Sequence, residues 1–419
     1  MVPPVLLRRM SGSTRILHVL ASLDEQDGGP VRAILDLSAA ARSHGLESHL
    51  LAPGPVALRD NPLASDWIHV APPPSFQAFR YAPGLREWLR RHLRDFDGVV
   101  IHGLWLYPGL AASLECKRAS VPYACFPHGM LARYPFRQGG ILKSLKKSLY
   151  WRLVERRIFD NAAAVLYTSK REWTNASPIF PAPRRCAVVA PFGIAPQARA
   201  VERPEHEALQ QPPERKIALF LGRLHPIKNL EFLIEAWHGA RPARDYHLVI
   251  AGTGEPSHAA RLARLAAAGA AASSIHFTGH VSGDDKLYLL QRARWLLLPS
   301  LYESFGVAVL EAVQSGCAVA VSDQVSSADY LPPDSAVLNL RMETWIDFFR
   351  NRMPDDRWRS RTAEAERERF EARFRVAEVA RNWAGTFRDL FSRTEPRNVE
   401  QWLSVSPAAE SRNPAERHS

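Results

Sequence analysis

The sequence predicts an α/β protein of two Rossmann-like domains, whose parallel sheets face each other across a cleft. Strand and helix patterns alternate along the chain, as is typical of parallel sheets covered by helices. The patterns fall into two sets, which are separated by a stretch rich in Pro, Glu and Gln at 198–215. Ligands of such folds bind at the carboxyl ends of the strands. Polar side chains at those ends are therefore the first candidates for function.

The elements follow from apolar runs and their punctuation. The first strand is expected at 15–23, and a helix from Pro30 ends near His44, since proline suits the first helical position and Gly45 follows the last. The chain is then expected to begin with an extension (1–14), followed by a first domain (15–197), a linker (198–215) and a second domain (216–375). A terminal helix (376–391) and a disordered polar tail (392–419) complete it. The other strands are expected at 48–51, 98–102, 123–126, 163–167, 186–190, 217–221, 247–251, 275–277, 295–298 and 318–321.

Composition is that of a soluble globular protein. The chain has 419 residues, of which 46% are hydrophobic and 23% charged, enough for two or three domains with large cores. The first ten residues contain only three consecutive apolar ones, and no apolar run approaches the roughly 20 residues that span a bilayer. The cysteines lack the CxxC spacing of a metal cluster and fit a reducing, cytoplasmic setting. These cysteines are Cys116, Cys125, Cys186 and Cys317.

The charge balance points to acidic partners. The formal net charge is +11 and the pI near 9.7. No helix-turn-helix, zinc-finger or RNP-like pattern accompanies the charge, so nucleic acid is not expected as a partner. The segment 141–159 instead predicts a basic amphipathic helix, in which Tyr150 and Trp151 could lie in an anionic membrane interface at the inner face of the plasma membrane. A surface helix packed on its own sheet is the alternative. Its basic residues are Lys143, Lys146, Lys147, Arg152, Arg156 and Arg157.

One strand–loop–helix unit carries the strongest signal. A strand at 295–298 leads through a short loop to a helix that begins around Phe305 and Gly306. Glu303 precedes this helix and Glu311 lies inside it. On an ideal helix, eight residues advance about 12 Å along the axis and end about 80° around it from the starting direction. This spacing suits the two ends of one extended ligand, with an anion at the middle near the free N–H groups of 304–307. A nucleoside diphosphate sugar has that shape. The backbone groups concerned belong to Ser304, Phe305, Gly306 and Val307.

A second unit offers two cations. Arg223 and Lys228 lie on the loop between a strand at 217–221 and an apolar helical stripe. A guanidinium fork and a compact ammonium can grip a diphosphate and neutralise it as a leaving group without a metal. Alternatively, both are solvated loop residues.

Together the two units resemble the donor-binding domain of retaining glycosyltransferases with the GT-B fold, specifically glycosyltransferase family four. The resemblance rests on Glu303 and Glu311, on the ESFG core at 303–306, and on the G-R-x-x-x-x-K element from Gly222 through Arg223 to Lys228. It extends from about 15 to 390. It implies that Glu303 contacts the transferred sugar, Glu311 the ribose diol, and the two cations the diphosphate, without metal or other cofactor. It also implies that the terminal helix returns to the first domain.

In the first domain the resemblance adds a histidine and a glycine pair. His128, in CFPHGM at a strand end, is implied to touch the donor sugar; a histidine that satisfies backbone groups in a tight turn is the alternative. Gly28 and Gly29 are implied to face the donor phosphate, although Pro30 removes one N–H. The stretch after His128 resembles the exopolysaccharide and lipopolysaccharide branch of the family.

Other first-domain positions are less specific. His102 and Trp105 follow another strand and are acceptor candidates, with a core tryptophan as the alternative for Trp105. APFG stands where the family has P-N-G, with Phe192 in place of Asn. The D-x-D at 95–97 is interpreted as a turn, and AGTGEP lacks most of a dinucleotide fingerprint.

The expected activity is transfer of a sugar (of the hexosyl type) with retention, from a nucleotide donor to a hydroxyl of a glycan on a lipid-linked exopolysaccharide or lipopolysaccharide intermediate. Two other interpretations remain open. A nucleotide-sugar epimerase of similar fold would hold the same donor without an acceptor. A non-catalytic basic protein would bind a membrane or nucleic acid through charge alone.

Overall fold

The computed structural model describes residues 13–24, 29–54, 66–132, 140–176, 178–180, 187–193, 195, 200–201, 216–241 and 246–392. They form two parallel sheets, of seven strands in the order β3-β2-β1-β4-β5-β6-β7 and of six in the order β10-β9-β8-β11-β12-β13. Helices cover both sheets. The predicted architecture of two α/β domains with parallel sheets is confirmed.

The first sheet is built by the N-terminal half. Its helices are Gly29–Ala41, Pro83–His92, Tyr107–Ala119, Gly140–Tyr150, Arg156–Asp160 and Lys170–Ala176, with a π-turn at Trp151–Glu155. Its strands are β1 Thr14–Val19, β2 Leu46–Pro53, β3 Ile68–Ala71, β4 Gly98–His102, β5 Tyr123–Phe126, β6 Ala164–Tyr167 and β7 Ala187–Val189.

The second sheet is built by the C-terminal half. Its strands are β8 Lys216–Leu221, β9 Tyr246–Ala251, β10 Ile275–Gly279, β11 Ala293–Leu298, β12 Ala318–Ser322 and β13 Ala336–Leu338. Its helices are Leu230–Ala240, Pro256–Ala268, Gly283–Arg292, Val307–Gln314, Met342–Asp347 and Asp356–Phe374. The helix Val307–Gln314 is called the cleft helix below.

In each sheet the strand order reverses beside the first strand of the domain. β1 pairs with both β2 and β4, and β8 pairs with both β9 and β11. At such a point the loops after two neighbouring strands run in opposite directions, and a crevice forms between them. Ligands of open α/β sheets bind in this crevice. Both crevices carry sequence-predicted site residues.

The last helix, Val376–Phe391, leaves the second domain and packs on the first. Its residues Trp383, Phe387 and Phe391 are buried, and the Trp383 indole donates a hydrogen bond to the Pro191 carbonyl (3.1 Å). A Cβ at Gly98 would lie 2.3 Å from the Phe391 ring. The absence of a side chain at the start of β4 therefore lets this helix, called the C-terminal helix below, approach the sheet.

Side chains of β1 alternate between two buried layers, as the pleat requires. Ile16 belongs to the core that is continuous with the C-terminal helix and the second domain, and Leu17 and Val19 belong to the core on the opposite face of the sheet. His18 points with Ile16 toward the C-terminal helix, where its ring packs against Trp383. Every residue of β1 after Thr14 is buried.

Most strand predictions hold, but several bounds differ. β1 ends at Val19 because the chain turns at 20–24 instead of continuing to 23 as a strand. The helix after it begins at Gly29 and closes through a 3-10 turn at Gly45, whose φ of 77° needs a glycine. The terminal helix predicted at 376–391 has the same bounds in the structure, and a break at Arg375 (ψ 126°) separates it from the helix Asp356–Phe374. β3 and β13 are two strands beyond those expected.

Two further predictions concern segments that are mostly undescribed. Of the linker at 198–215 only 200–201 are described, and of the tail only Ser392. At 95–97, where a turn was predicted, the Asp97 carboxylate accepts from the Arg15 N–H (2.8 Å) at the start of the sheet. Among the described helices, none has the length and apolar character that crossing a membrane requires.

Candidate functional site

Lys228 and Glu303 lie together in the crevice of the second sheet. Lys228 ends a short 3-10 turn after β8, and Glu303 lies on the loop after β11. The ammonium donates to Glu303 Oε2, and both side chains are mostly buried. Residues 75 positions apart in sequence meet here because β8 and β11 are neighbouring strands. The predicted phosphate-binding cation and the predicted sugar-binding carboxylate are thus partners in the free protein.

Backbone contacts fix the two loops around this pair. The Leu301 N–H donates to the Ile227 carbonyl (2.8 Å), which joins the loop after β11 to the loop after β8. The Ser326 N–H and hydroxyl both donate to the Glu303 carbonyl, at 3.1 and 2.9 Å. Glu303 therefore has its backbone held on one side while its side chain faces Lys228.

The glycine loop after β9 packs directly against the loop that carries Arg223. A Cβ at Gly252 would lie 1.9 Å from the Gly222 carbonyl oxygen, and one at Gly254 would lie 2.1 Å from the Leu224 carbonyl oxygen. Only glycine permits this approach of two backbones. Arg223 is exposed, and within the described residues its side chain is in no ion pair or hydrogen bond. It is thus available to a ligand.

The cleft helix begins at Val307, two positions later than its predicted start, with Gly306 at φ 90° as its N-cap. N–H groups of a first helical turn lack partners inside the helix and attract anions. Phe305 itself is buried, with its ring 5.4 Å from the Phe374 ring. Of the predicted donor-binding residues, Phe305 can therefore offer a ligand only its backbone.

Glu311 is paired with a lysine that the sequence analysis did not identify. Its Oε1 accepts from Lys286 Nζ at 2.8 Å. Asp36 lies on the first-domain helix Gly29–Ala41. Burial raises the pKa of its carboxyl, and the charges of Lys286 and Glu311 lower and raise this pKa, respectively. This helix packs against the cleft helix. Charges of the two domains thus meet at the Glu311 end of the cleft.

A turn of the first domain touches the loop that carries Glu303. His128 and Gly129 follow β5 with φ values of 50° and 80°, and a Cβ at Gly129 would lie 2.7 Å from Ser304 Cβ. The Thr168 hydroxyl oxygen also lies 3.0 Å from the Ser304 carbonyl oxygen of the second domain. The described structure therefore brings the predicted His128 and Glu303 segments to the same corner of the cleft.

Glu172 holds that turn in place. Its carboxylate accepts from the Gly129 N–H on one oxygen and from the Thr168 N–H (2.7 Å) and hydroxyl (2.6 Å) on the other. Burial raises the pKa of Glu172 to about 7, although these hydrogen bonds favour the ionised form. The Glu172 carboxyl therefore changes between its neutral and its ionised form near pH 7.

His102, a predicted acceptor residue, lines a small pocket at the end of β4, but its ring nitrogens are engaged within the protein. Its side chain is buried, and both ring nitrogens are engaged, Nε2 with His18 Nδ1 (2.9 Å) and Nδ1 with His128 Nε2 (2.8 Å). A ring with both nitrogens bonded to protein has no group left for a sugar hydroxyl. His102 is instead hydrogen-bonded to the His128 ring and holds it in place.

Phe192 explains the departure from the P-N-G pattern. It is buried, and its ring stacks on His128 (centroids 5.9 Å apart, planes at 15°) and meets Phe305 edge-on (6.1 Å). An aromatic side chain here connects the histidine turn of the first domain to the start of the cleft helix.

Trp105 and the basic segment form one aromatic cluster. The Trp105 ring lies beside Tyr150 and Trp151, at 6.3 and 6.2 Å, and Lys147 lies 6.0 Å from its centroid. Trp151 is buried against Phe180. The prediction that this tryptophan lies in a membrane interface is therefore wrong, because its ring completes the core of the first domain.

The remaining predicted site residues are only partly described. Gly29 is the first residue of its helix, and Gly28 lies outside the described residues. Sequence reasoning missed Lys286, Glu172 and Thr168. Thr168 follows β6 directly, so the rule that strand ends carry function would have identified it, whereas no pattern around Lys286 or Glu172 predicts their partners.

Two family models match the chain, one over each domain. The model for the "Glycosyl transferase 4-like domain" matches residues 28–193, and that for "Glycosyl transferases group 1" matches 201–334. Together they cover well over half of the chain. The first contains His128, and the second contains Lys228, Glu303 and Glu311.

Related proteins and structures agree with these models. The chain is 33% identical over 124 residues to the serotype-specific mannosyltransferase WbdA of Escherichia coli, a match that spans 29% of this chain but only 15% of WbdA. It is 26% identical over 330 residues to the D-rhamnosyltransferase WbpZ of Pseudomonas aeruginosa, which covers 76% of this chain and 80% of WbpZ. The structure of Anabaena HepE in complex with UDP and glucose superposes with a TM-score of 0.71 at 14% identity, over 89% of this chain and 99% of HepE. At that identity the likeness shows the fold alone.

Proposed function

This chain belongs to the glycosyltransferases with the GT-B fold, and from this premise we propose that it transfers a sugar from a nucleoside diphosphate sugar to a hydroxyl of a glycan, with retention of configuration and without a metal. The observation that carries the proposal is the Lys228–Glu303 pair, which lies at the loops before the cleft helix. A cation, a carboxylate and free helical N–H groups converge there, and His128 approaches from the opposite domain.

Different residues of the site would bind different parts of the donor. Lys228, Arg223 and the N–H groups at Ser304–Val307 would hold the diphosphate. Glu303 would orient the sugar, and Glu311 would bind the ribose hydroxyls. On arrival of the donor, Lys228 exchanges its carboxylate partner for a phosphate oxygen, which leaves Glu303 free to accept from sugar hydroxyls.

The reaction proposed for this site keeps its atoms in balance. The bond between the anomeric carbon and the diphosphate oxygen breaks, and its electron pair leaves with the nucleoside diphosphate. The acceptor hydroxyl oxygen bonds to the same carbon on the same face, and its proton passes to the departing diphosphate. Lys228, Arg223 and the helix N-terminus stabilise the charge that develops on that leaving group.

The acceptor is proposed to be lipid-linked, because the basic segment of the first domain exposes leucines. Leu145, Leu149 and Leu153 are 65%, 58% and 54% exposed, and their spacing of four residues places them along one helix face. Exposed basic side chains flank them. Apolar and cationic groups side by side fit the headgroup region of an anionic bilayer. The flanking cations are Lys146, Arg152, Arg156 and Arg157.

Liposome flotation tests the membrane part. Full-length protein is expected to float with anionic vesicles at low salt, and Leu145→Ser with Leu149→Ser should reduce bound protein at least tenfold, since burial of each leucine contributes about 1.5–3 kcal/mol. Leu114→Ser is the matched control, because Leu114 is 46% exposed on another helix of the same domain. Equal flotation of all variants would remove the membrane assignment.

The activity is tested by incubating the protein with a panel of nucleotide sugars, with and without lipid-linked glycan acceptors, in EDTA. Transfer that requires an acceptor, persists in EDTA and gives a product of the donor's anomeric configuration by NMR supports the proposal. Interconversion of the sugar without acceptor would show an epimerase instead. Binding to vesicles with no donor-induced thermal shift across the panel would indicate a non-catalytic membrane protein.

A further inference from the structure

Three histidines form one hydrogen-bonded chain across the middle of the first sheet. His18 lies on β1, His102 ends β4, and His128 follows β5, and these are three adjacent strands. Nδ1 of His18 lies 2.9 Å from Nε2 of His102, and Nδ1 of His102 lies 2.8 Å from Nε2 of His128. The chain runs from the C-terminal helix, which covers His18, to the turn at the cleft.

Only the two ends of the chain lack a hydrogen bond within the described structure. These are Nε2 of His18 and Nδ1 of His128, and both atoms are buried. Because Nε2 of His128 is directed to His102, the open nitrogen lies on the backbone side of its ring. The turn at that side contacts Ser304 through Gly129. Of the two open nitrogens, Nδ1 of His128 is the one at the cleft, whereas Nε2 of His18 belongs to the ring that the C-terminal helix covers.

The protonation of this atom is coupled to His18. A neutral imidazole carries one donor and one acceptor nitrogen, so the direction of one hydrogen bond sets the direction of the next. If His18 donates to His102, then His102 donates to His128, and Nδ1 of His128 keeps its proton. If the bonds run the other way, Nδ1 is a bare acceptor and the proton lies on Nε2 of His18.

The rings remain neutral, which preserves this coupling. Burial lowers the pKa of His18 and of His128 to about 3 and lowers the pKa of His102 well below its usual value. A cationic ring would have a proton on both nitrogens and would interrupt the chain.

The surroundings of His18 favour one direction. Its ring lies 6.1 Å from both Trp383, to which it is stacked, and Phe387, which it meets edge-on. An N–H lies in the plane of its ring, so at this end it can be directed at the negative face of the perpendicular Phe387 ring but not at that of the stacked Trp383; a lone pair gains nothing from either ring. The proton therefore belongs on Nε2 of His18, with each hydrogen bond donated toward His18.

We propose that His18 and His102 are positioning residues that present Nδ1 of His128 without a proton, as the acceptor for a hydroxyl of the transferred sugar. This proposal rests on the glycosyl transfer proposed above. The ring of His128 cannot turn away, because it is stacked on Phe126 (4.3 Å) and on Phe192 (5.9 Å). The orientation and the tautomer of the sugar-binding ring are thus both set by residues that do not touch the sugar.

The test reads the tautomer directly. In full-length protein labelled with 15N, two-bond 1H–15N spectra report which nitrogen of each histidine carries the proton. We expect His128 to be protonated on Nε2 only, and His18→Phe to convert it into a mixture of tautomers although the two rings do not touch. The same variant should lower kcat for transfer about tenfold, the effect of one lost hydrogen bond.

Two further variants complete the experiment. His49→Phe is the matched control, since His49 and His69 form a comparable pair (3.0 Å) on the outer strands of the same sheet, and it should leave the His128 spectrum and kcat unchanged. His102→Phe interrupts the chain one ring nearer and should give the same mixture, so it decides the question if His18→Phe does not fold.

A His128 that carries its proton on Nδ1, or whose spectrum is unchanged in His18→Phe and His102→Phe, overturns the proposal. A wild-type protein that transfers no sugar from any donor would refute the proposed function instead, and the spectra would still decide the direction of the chain.

Discussion

Lys228 and Glu303 neutralise each other across two loops that the reversal of strand order in the second sheet brings together. The pair is mostly buried, so each charge depends on its partner. Under the proposed function, a donor diphosphate would recruit Lys228 by replacing the Glu303 carboxylate with a stronger anion. The pair would keep the cation oriented before the donor arrives and discriminate against weakly charged ligands.

Replacement of Lys228 by alanine is expected to lower kcat about 10²–10³-fold, because the charge on the leaving diphosphate loses its buried cation. Steady-state transfer assays measure this. Lys216→Ala removes another paired lysine of the same strand unit, at the amino-terminal end of β8 where it contacts Asp356 (2.7 Å), and should leave kcat unchanged. Full activity of Lys228→Ala would contradict the leaving-group role.

Replacement of Glu311 by alanine is expected to weaken binding of nucleoside diphosphates about 10- to 100-fold, the effect of losing hydrogen bonds to a charged group. Thermal shift and calorimetry across several bases measure the loss. Glu378→Ala is the control, since Glu378 is also a helical carboxylate paired with a cation, Arg381 (3.0 Å). An undiminished thermal shift in Glu311→Ala would exclude it from the nucleotide site.

Replacement of Gly129 by alanine is expected to separate the two domains at the catalytic corner. The new methyl group would lie 2.7 Å from Ser304 Cβ, so the turn and the loop cannot both keep their places. We expect kcat/KM to fall at least tenfold, and the radius of gyration in solution scattering to rise, with a stability loss of about 1–3 kcal/mol from the strained backbone.

Gly316→Ala separates the two effects, because Gly316 has a similar φ of 77° but open space around its Cβ position. It should lose stability and retain activity. If both variants are equally active, contact between Gly129 and Ser304 is not required for transfer.

Replacement of Glu172 by glutamine is expected to remove one contribution that lowers stability as pH rises. The pKa of Glu172 is raised to about 7 in the folded protein, from 4.5, so the folded state holds a proton that the unfolded state has released between these values. The contribution of Glu172 to stability therefore decreases as pH rises through this window, by up to about 1.4 kcal/mol per pH unit.

Urea unfolding at pH 5, 6 and 7 measures the slope of stability against pH, which should be more positive in Glu172→Gln than in the wild type. Glu155 and Glu366, whose pKa values burial raises to about 7 and about 8, contribute in the same direction as Glu172. His18 and His128, whose pKa values burial lowers to about 3, contribute in the opposite direction, and both proteins share all of these groups. Identical slopes for the two proteins would assign the pH dependence to the other groups alone.

The sequence was sufficient for the architecture because its strongest strands are buried on both faces and read as continuous apolar runs. β3 and β13 were missed for the opposite reason. They are edge strands of four and three residues, half-exposed along most of their length, and a run so short has no recognisable period.

Within the site, the motif residues could be predicted but their partners could not. Glu303 and Lys228 are recognisable from local spacing, whereas the pairing of Glu311 with Lys286 depends on how two helices pack. The engagement of His102 by His18 and His128 could not be predicted either, because it depends on strand register, which leaves no trace in the sequence. A histidine inside an apolar strand, as in RILHVL, is the one local sign of such a buried network.

The C-terminal helix has a consequence for biosynthesis. Trp383, Phe387 and Phe391 complete the hydrophobic layer over β1 and β4, yet they are translated after the whole of the second domain. A nascent first domain emerging from the ribosome must therefore wait, with one side of its sheet uncovered, until residue 391 has left the exit tunnel. Chaperone occupancy during synthesis should consequently persist until the final helix emerges, and truncation before residue 376 should yield insoluble chains.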